Sequence, residues 1–111
     1  MFFKKLQQAE DRYKEIEQML TLPEIISDNK RYFALIKEYN SISDVVAKYR
    51  EYKTCQEQMN ESDEMMRDSS LDPELREMAE DEFYEMRDKL EVLTNELKVL
   101  LMPQRTATSF K

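Results

Sequence analysis

Apolar side chains recur along the chain at alternating steps of three and four residues, a spacing typical of helices that pack along a seam. This pattern first predicts a helix over residues 2–20, which ends before Pro23. Its apolar positions are Phe2, Leu6, Ala9, Tyr13, Ile16 and Leu20. We expect Ile25 and Ile26, in the short connection that follows, to tuck under the end of a helical bundle.

A second helix is predicted from Asp28, or the neighbouring Ser27, because their side-chain oxygens can cap the first backbone N–H groups. Its apolar positions are Tyr32, Leu35, Tyr39, Ile42, Val46 and Tyr49. The stripe keeps its phase through the weak helix formers near residue 41, so we predict one continuous helix. Beyond Tyr52 the stripe thins into an acidic, methionine-rich stretch, which we expect to fray before a reversal at residues 69–71.

The third predicted helix spans residues 72–103 and has clear signals at both ends. Asp72 can cap its first turn, Pro73 suits the first helical position, and Pro103 cannot continue a helix. Its apolar positions are Leu75, Ala79, Phe83, Met86, Leu90, Leu93, Leu97 and Leu100. The three stripes together predict an all-α fold: an antiparallel three-helix bundle with coiled-coil packing, one helix shorter than the other two. We predict a helical domain over residues 1–103 and a disordered tail over residues 104–111.

The composition excludes several kinds of active site. The 111 residues include no glycine and no histidine. Phosphate-binding loops of the Walker and dinucleotide types need glycine, and zincin, di-iron and Ser-His-Asp sites need histidine. We therefore expect no cofactor and no bound metal. Cys55 has no second cysteine with which to form an internal disulfide, which fits a reduced, cytoplasmic chain.

Carboxylates are abundant, at Asp63 and Glu64 and again at residues 80–82. Paired acids catalyse reactions only where a pocket separates them and shifts their pKa values, and a convex helical rod offers no such pocket. We therefore expect these side chains to form solvated faces. A calcium loop at residues 60–68 is also disfavoured, because its sharp turn needs glycine.

The formal net charge of −7 argues against sequence-independent nucleic-acid binding as the main activity and disfavours anionic membranes, although it does not exclude local basic patches. We expect neither DNA nor a membrane among the partners. One basic, aromatic cluster stands out at Lys48, Tyr49, Arg50, Tyr52 and Lys53. Two interpretations stay open. The cluster is a patch for RNA phosphate or a protein partner, or Tyr49 belongs to the core and its basic neighbours are merely solvated.

Several short stretches resemble the N-terminal domain of bacterial peptide chain release factor 1, the factor that reads UAA and UAG. They are PEIISD at 23–28 with KRY at 30–32, EY at 38–39 with SDV at 43–45, DPELREMA at 72–79, and LLMP at 100–103. The sister factor that reads UGA looks similar but usually has tryptophan near the position of Ile26. The resemblance covers residues 1–103.

The resemblance implies a non-catalytic domain of a translation termination factor, located in the cytoplasm. It also implies contact with the ribosome at the base of the large-subunit stalk, for which we select Lys48, Arg50, Tyr52 and Lys53 as partner-binding residues. The family's reactive Gly-Gly-Gln and codon-reading tripeptides belong to a larger segment that this chain lacks. We therefore predict that the chain is not an enzyme.

Two rival interpretations remain: a free-standing coiled-coil scaffold that self-associates, and a small helical enzyme. A downstream Gly-Gly-Gln in the gene would favour the release-factor interpretation over the scaffold. We also predict weak self-association through residues 60–79, where a two-helix stretch leaves Met78, together with Met65 or Met66, partly exposed.

Overall fold

The computed structural model describes residues 2–102, which form four helices and no strand. The helices are α1 (Phe2–Met19), α2 (Pro23–Ile26), α3 (Asn29–Arg67) and α4 (Pro73–Leu100). The predicted all-α helical bundle is confirmed, with the one-turn α2 added to the three predicted helices. The predicted disordered tail at 104–111 lies outside the described residues. The chain divides into two compact units, Met1–Ala47 and Lys48–Lys111, and α3 runs from the first into the second.

The core of the first unit joins α1, α2 and the beginning of α3. Ile16, Ile25 and Leu35 are buried together at its centre. Partly buried side chains pack around them, namely Met19, Leu20, Tyr32, Tyr39 and Ile42. Because the end of α1 and the beginning of α3 meet in this cluster, the two helices run antiparallel, as the apolar stripes predicted.

The connection between α1 and α3 contains the one-turn helix α2, which begins at Pro23. Ile25 is fully buried, whereas 52% of Ile26 is exposed. The prediction that both isoleucines tuck inward is therefore wrong for Ile26. A single helical turn presents only one side to a core, and consecutive residues point about 100° apart around the axis.

Helix α3 is continuous, as predicted, and the Asp28 side chain caps its start. The backbone N–H of Arg31 donates to Asp28 Oδ1 at 3.3 Å. The helix extends to Arg67 without the fraying that we expected. Ser62 is buried, so this end of the helix packs although it has few large apolar residues, and Arg67 Nε donates to Asp63 Oδ1 at 3.2 Å within the last turns of the same helix. Packing, rather than composition, determines how far a long helix persists.

In the second unit, the later part of α3 packs against α4. Lys48 contacts Glu96, while Cys55 lies farther along α3 and contacts Met86, which comes earlier in α4. These pairs show that the two helices run antiparallel. The buried apolar residues of the unit are Tyr49, Cys55, Ala79, Leu93 and Leu97.

The two ends of α4 depart from the predicted pattern. Leu75 and Leu100 belong to the apolar stripe by spacing but are exposed. Asp72 precedes the helix as predicted, yet its side chain makes no capping hydrogen bond. Its backbone carbonyl instead accepts from the N–H of Arg76 at 3.0 Å. A position in the apolar stripe therefore does not by itself ensure burial.

Candidate functional site

The basic, aromatic cluster predicted at Lys48–Lys53 lies on adjacent turns of α3 at the start of the second unit. Its members do not share one surface. Tyr49 is buried, Arg50 is exposed, and Lys48, Tyr52 and Lys53 are partly buried. The structure thus supports the interpretation that Tyr49 belongs to the core, and Arg50 is the most exposed member of the cluster.

Lys48 is held by carboxylates on both helices of the second unit. Its Nζ lies 3.2 Å from Glu96 Oε1 on α4 and 3.7 Å from Glu51 Oε1 one turn along α3. The hydrogen bond to Glu96 raises the pKa of Lys48 above its usual value. Much of the Lys48 charge is therefore compensated within the unit, which leaves less of it for an anionic partner.

The other members of the cluster also make contacts inside the unit. Lys53 Nζ lies 4.7 Å from the centre of the Tyr49 ring, a cation–π arrangement. Burial raises the pKa of the Tyr52 hydroxyl, so this phenol stays neutral at physiological pH. The aromatic rings of the cluster therefore help to hold the unit together and do not form an open stacking platform.

A shallow groove of about 310 Å³ adjoins the cluster. It is lined by Lys48, Glu96, Val99 and Leu100. Val99 is 62% exposed, and the ion pair of Lys48 with Glu96 forms the polar side of the groove. The apolar stripe could not reveal this groove, because Val99 lies outside the stripe, on the outer face of α4.

The turn between α3 and α4 carries an exposed apolar surface beside a cavity of about 560 Å³. Met65, Leu75 and Met78 are exposed there, while Met66 lines the cavity and is partly buried. The other lining residues are Pro73, Glu74, Arg76, Glu77 and Glu80. The sequence-based expectation of exposed methionines at this end is confirmed for Met65 and Met78.

In the first unit, a polar network connects α1 with α3. Arg12 donates from Nε to Glu38 Oε2 at 2.7 Å and from Nη2 to Glu38 Oε1 at 2.9 Å. Tyr39 stacks on Tyr13 with ring centres 4.2 Å apart, and its hydroxyl donates to Glu17 at 3.0 Å. The hydrogen bonds from Arg12 lower the pKa of Glu38, so this carboxylate stays ionised and paired with Arg12.

The outer face of the first turns of α3 is a second basic surface that the sequence analysis did not select. Lys30, Phe33 and Lys37 follow one another at steps of three and four residues, and all three are exposed. We call these three residues the Phe33 face. Its signal in the sequence is an aromatic residue out of phase with the apolar stripe and bracketed by lysines.

Within residues 2–102, the structure contains no group of acidic and cysteine side chains arranged to hold a metal ion. In the same part of the chain, no helix is long and apolar enough to cross a membrane. Cys55 is buried, and its thiol lies 3.4 Å from the backbone oxygen of Met86. Burial raises the pKa of this thiol, which favours the unreactive protonated form.

Comparison with known proteins connects this helical arrangement with translation. Peptide chain release factor 1 of Alkaliphilus oremlandii (strain OhILAs) is 41% identical over 100 residues, which cover 90% of this chain and 28% of that protein. The factor of the same name from Geobacillus sp. (strain WCH70) is 41% identical over 102 residues, which cover 92% of this chain and 28% of that protein. The one from Streptococcus equi subsp. equi (strain 4047) is 39% identical with the same coverage. No solved structure matches the chain.

The match to a domain family is nearly as long as the chain. The family described as the PCRF domain matches residues 9–109, which include most of α1 and all of α2, α3 and α4. The segments that carry the resemblance noted above lie inside this range, and the relatives named peptide chain release factor 1 agree with it. The chain therefore belongs to the PCRF domain family.

Proposed function

We propose that this chain is a helical domain of a translation termination factor and binds the ribosome at the base of the large-subunit stalk. Its membership of the PCRF domain family, with 39–41% identity to proteins named peptide chain release factor 1, carries the proposal. The chain spans 28% of the length of these relatives. Its role is then to help position a termination factor on the ribosome, in the cytoplasm.

The proposed role is non-catalytic. The chain contains no glycine, so it has no Gly-Gly-Gln, and no histidine is available as a general base. Release of peptide from ribosomes programmed with a stop codon tests this directly. We expect the purified chain to release no peptide above background, while an intact release factor assayed in parallel does. Release by the chain alone would contradict the non-catalytic role.

For the contact with the stalk base, we propose the segment of α3 that carries Lys48, Arg50, Tyr52 and Lys53. Arg50 is the exposed cation of this segment, and the groove beside Lys48, on another side of α3, offers apolar side chains next to an ion pair. A site of this kind suits a protein partner with an acidic group and a small apolar side chain. The other residues of the cluster support the surface from within the second unit.

The variant Arg50→Glu tests this assignment. We expect it to weaken binding of the fluorescently labelled chain to isolated large subunits. Arg67→Glu is the matched control, because Arg67 is also an exposed arginine of α3 but lies at the opposite end of the second unit's helix pair. Equal weakening by the two variants would indicate a general charge effect and would contradict the assignment.

We further propose weak self-association through the exposed apolar end around Met65, Leu75 and Met78. These side chains are exposed beside the turn between α3 and α4, and a second copy of the chain would cover them. Sedimentation over a range of concentrations tests this. We expect the wild type to associate at high concentration and Met65→Lys/Met78→Lys to remain monomeric. Association of the variant equal to that of the wild type would exclude this surface.

A further inference from the structure

The Phe33 face combines an open aromatic ring with cations on both sides. Phe33 is 67% exposed, and Lys30 and Lys37 lie three residues before it and four residues after it, on the same side of α3. The two lysines are separated by about 10 Å along the helix axis, and Phe33 lies between their positions on the helix.

The cations of this face have no internal partner in the part of the chain that the structure describes. Residues 29–37 contain no carboxylate. The carboxylates on either side are already engaged, because Asp28 accepts from the N–H of Arg31 and Glu38 is bound by Arg12. The next acidic residue along this face, Asp44, lies two turns beyond Lys37.

This situation differs from that of the predicted cluster in the second unit. There, Lys48 is paired with Glu96, and Lys53 lies over the ring of Tyr49. In a chain with a net charge of −7, a patch of uncompensated cations creates a local field of the opposite sign. The Phe33 face is therefore suited to an anionic ligand.

The exposed Phe33 ring has an aromatic neighbour, which connects it to the core of the first unit. Phe33 lies edge-on to Tyr32, with ring centres 6.1 Å apart and planes at 75°. Tyr32 in turn packs against the buried cluster of Ile16, Ile25 and Leu35. An aromatic side chain has only two rotatable bonds, so it loses little conformational entropy when a flat group stacks on it.

We propose that the Phe33 face binds unpaired nucleotides of RNA, with a base stacked on Phe33 and phosphates at Lys30 and Lys37. Aromatic rings between cations are the usual platform for single-stranded nucleic acid, because the ring takes the base and the cations take the backbone. An acidic peptide would satisfy the lysines but not the ring. An apolar peptide would cover the ring and leave the lysines unpaired.

Binding of nucleotides follows from the Phe33 face alone. Only the choice of RNA over DNA rests on the proposed function, since a ribosome presents RNA. The test therefore uses an isolated oligonucleotide, so that its failure leaves binding at the stalk base unaffected. Conversely, a chain that binds RNA but not ribosomes would support this proposal while contradicting the proposed function.

The experiment measures fluorescence anisotropy of a labelled single-stranded RNA titrated with the full chain at low salt. We expect Phe33→Leu to weaken binding at least about fivefold, because leucine keeps the apolar volume but removes the stacking surface. Phe33→Tyr should retain affinity. Lys30→Glu/Lys37→Glu should weaken binding and reduce its dependence on salt concentration. Duplex RNA should bind more weakly, since its bases are already stacked.

Lys14→Glu/Lys89→Glu is the matched control, because it changes the net charge equally at two exposed lysines outside the Phe33 face. We expect it to bind RNA nearly as well as the wild type. Circular dichroism of every variant confirms that the helices are intact. The proposal is overturned if the wild type binds no RNA, if the control weakens binding as much as Lys30→Glu/Lys37→Glu, or if Phe33→Leu changes nothing. Equally tight binding of polyglutamate would assign the face to an acidic protein and would also overturn it.

Discussion

The packing of α4 against α3 makes a sharp prediction for two residues that are two positions apart on α4. Leu97 is fully buried, whereas Val99 is 62% exposed on the outer face of α4. We expect Leu97→Ala to lower the free energy of unfolding by about 2–5 kcal/mol, because it removes buried methyl groups and leaves a cavity. Leucine and alanine both favour helices, so the loss reports packing rather than helix propensity.

Val99→Ala is the matched control on the same helix. Its side chain is largely solvated, and alanine favours helix more than valine does. We expect its effect on the free energy of unfolding to stay within about 0.5 kcal/mol. The two variants therefore test the phase of α4 with substitutions to the same residue.

Urea unfolding followed by circular dichroism, with tyrosine fluorescence as a second probe, gives both values. A loss of about 2 kcal/mol corresponds to a midpoint lower by roughly 1 M urea. Coincident transitions from the two probes establish that one free energy describes the change. Similar midpoints for Leu97→Ala and Val99→Ala would refute the orientation assigned to α4.

Three further predictions follow from individual contacts. Asp28→Ala should lower the free energy of unfolding by about 0.5–2 kcal/mol because it removes a helix cap. Asp72→Ala should lower it less, because the Asp72 side chain makes no capping hydrogen bond. Urea unfolding of the two variants measures both effects. Arg12 lowers the pKa of Glu38, so their ion pair stabilises the folded chain, by under about 1 kcal/mol because the pair is half-exposed. This stabilisation is fully present above the pKa that Glu38 has in the unfolded chain, and it is lost as the pH falls through the lower pKa of the folded chain. The stability difference between wild type and Glu38→Gln should thus shrink between pH 7 and pH 3, and a constant difference would contradict the pairing. The Cys55 thiol should react with Ellman's reagent much more slowly in the folded chain than in urea, and equal rates would contradict its burial.

The sequence predicts the helices well because their apolar spacing reports the core directly. The continuity of α3, its cap at Asp28 and the antiparallel packing of α4 all follow from that spacing and from local chemistry. The same spacing fails at Leu75 and Leu100, which continue the stripe but are exposed. A stripe shows which side of a helix is apolar, but it does not show how completely each residue on that side is covered.

Polar residues were harder to place. Glu10 and Ser62 are buried, although their residue types predict exposure. Gln7 Nε2 donates to Glu10 at 3.4 Å, and contacts of this kind make burial of a polar group tolerable. Such contacts depend on the positions of side chains in three dimensions, which hydrophobic spacing does not encode.

The candidate site was predicted only in part, for an electrostatic reason. The sequence selects Lys48 and Lys53 because basic and aromatic residues are adjacent there. It cannot show that Glu96, distant in sequence, compensates Lys48. The Phe33 face was missed because its residues are spread over two turns of a helix. That its lysines have no carboxylate partner becomes evident only once the structure shows that the adjacent Glu38 is paired with Arg12.

Binding to the large ribosomal subunit, with and without its stalk-base protein, tests the central proposal most directly. The labelled chain is titrated against intact large subunits and against subunits that lack only that protein, and the complementing purified protein is then added back. We predict saturable binding to intact subunits, loss of binding without the stalk-base protein, and recovery when it is restored. Equal binding to both kinds of subunit, or no binding to intact ones, would contradict the account.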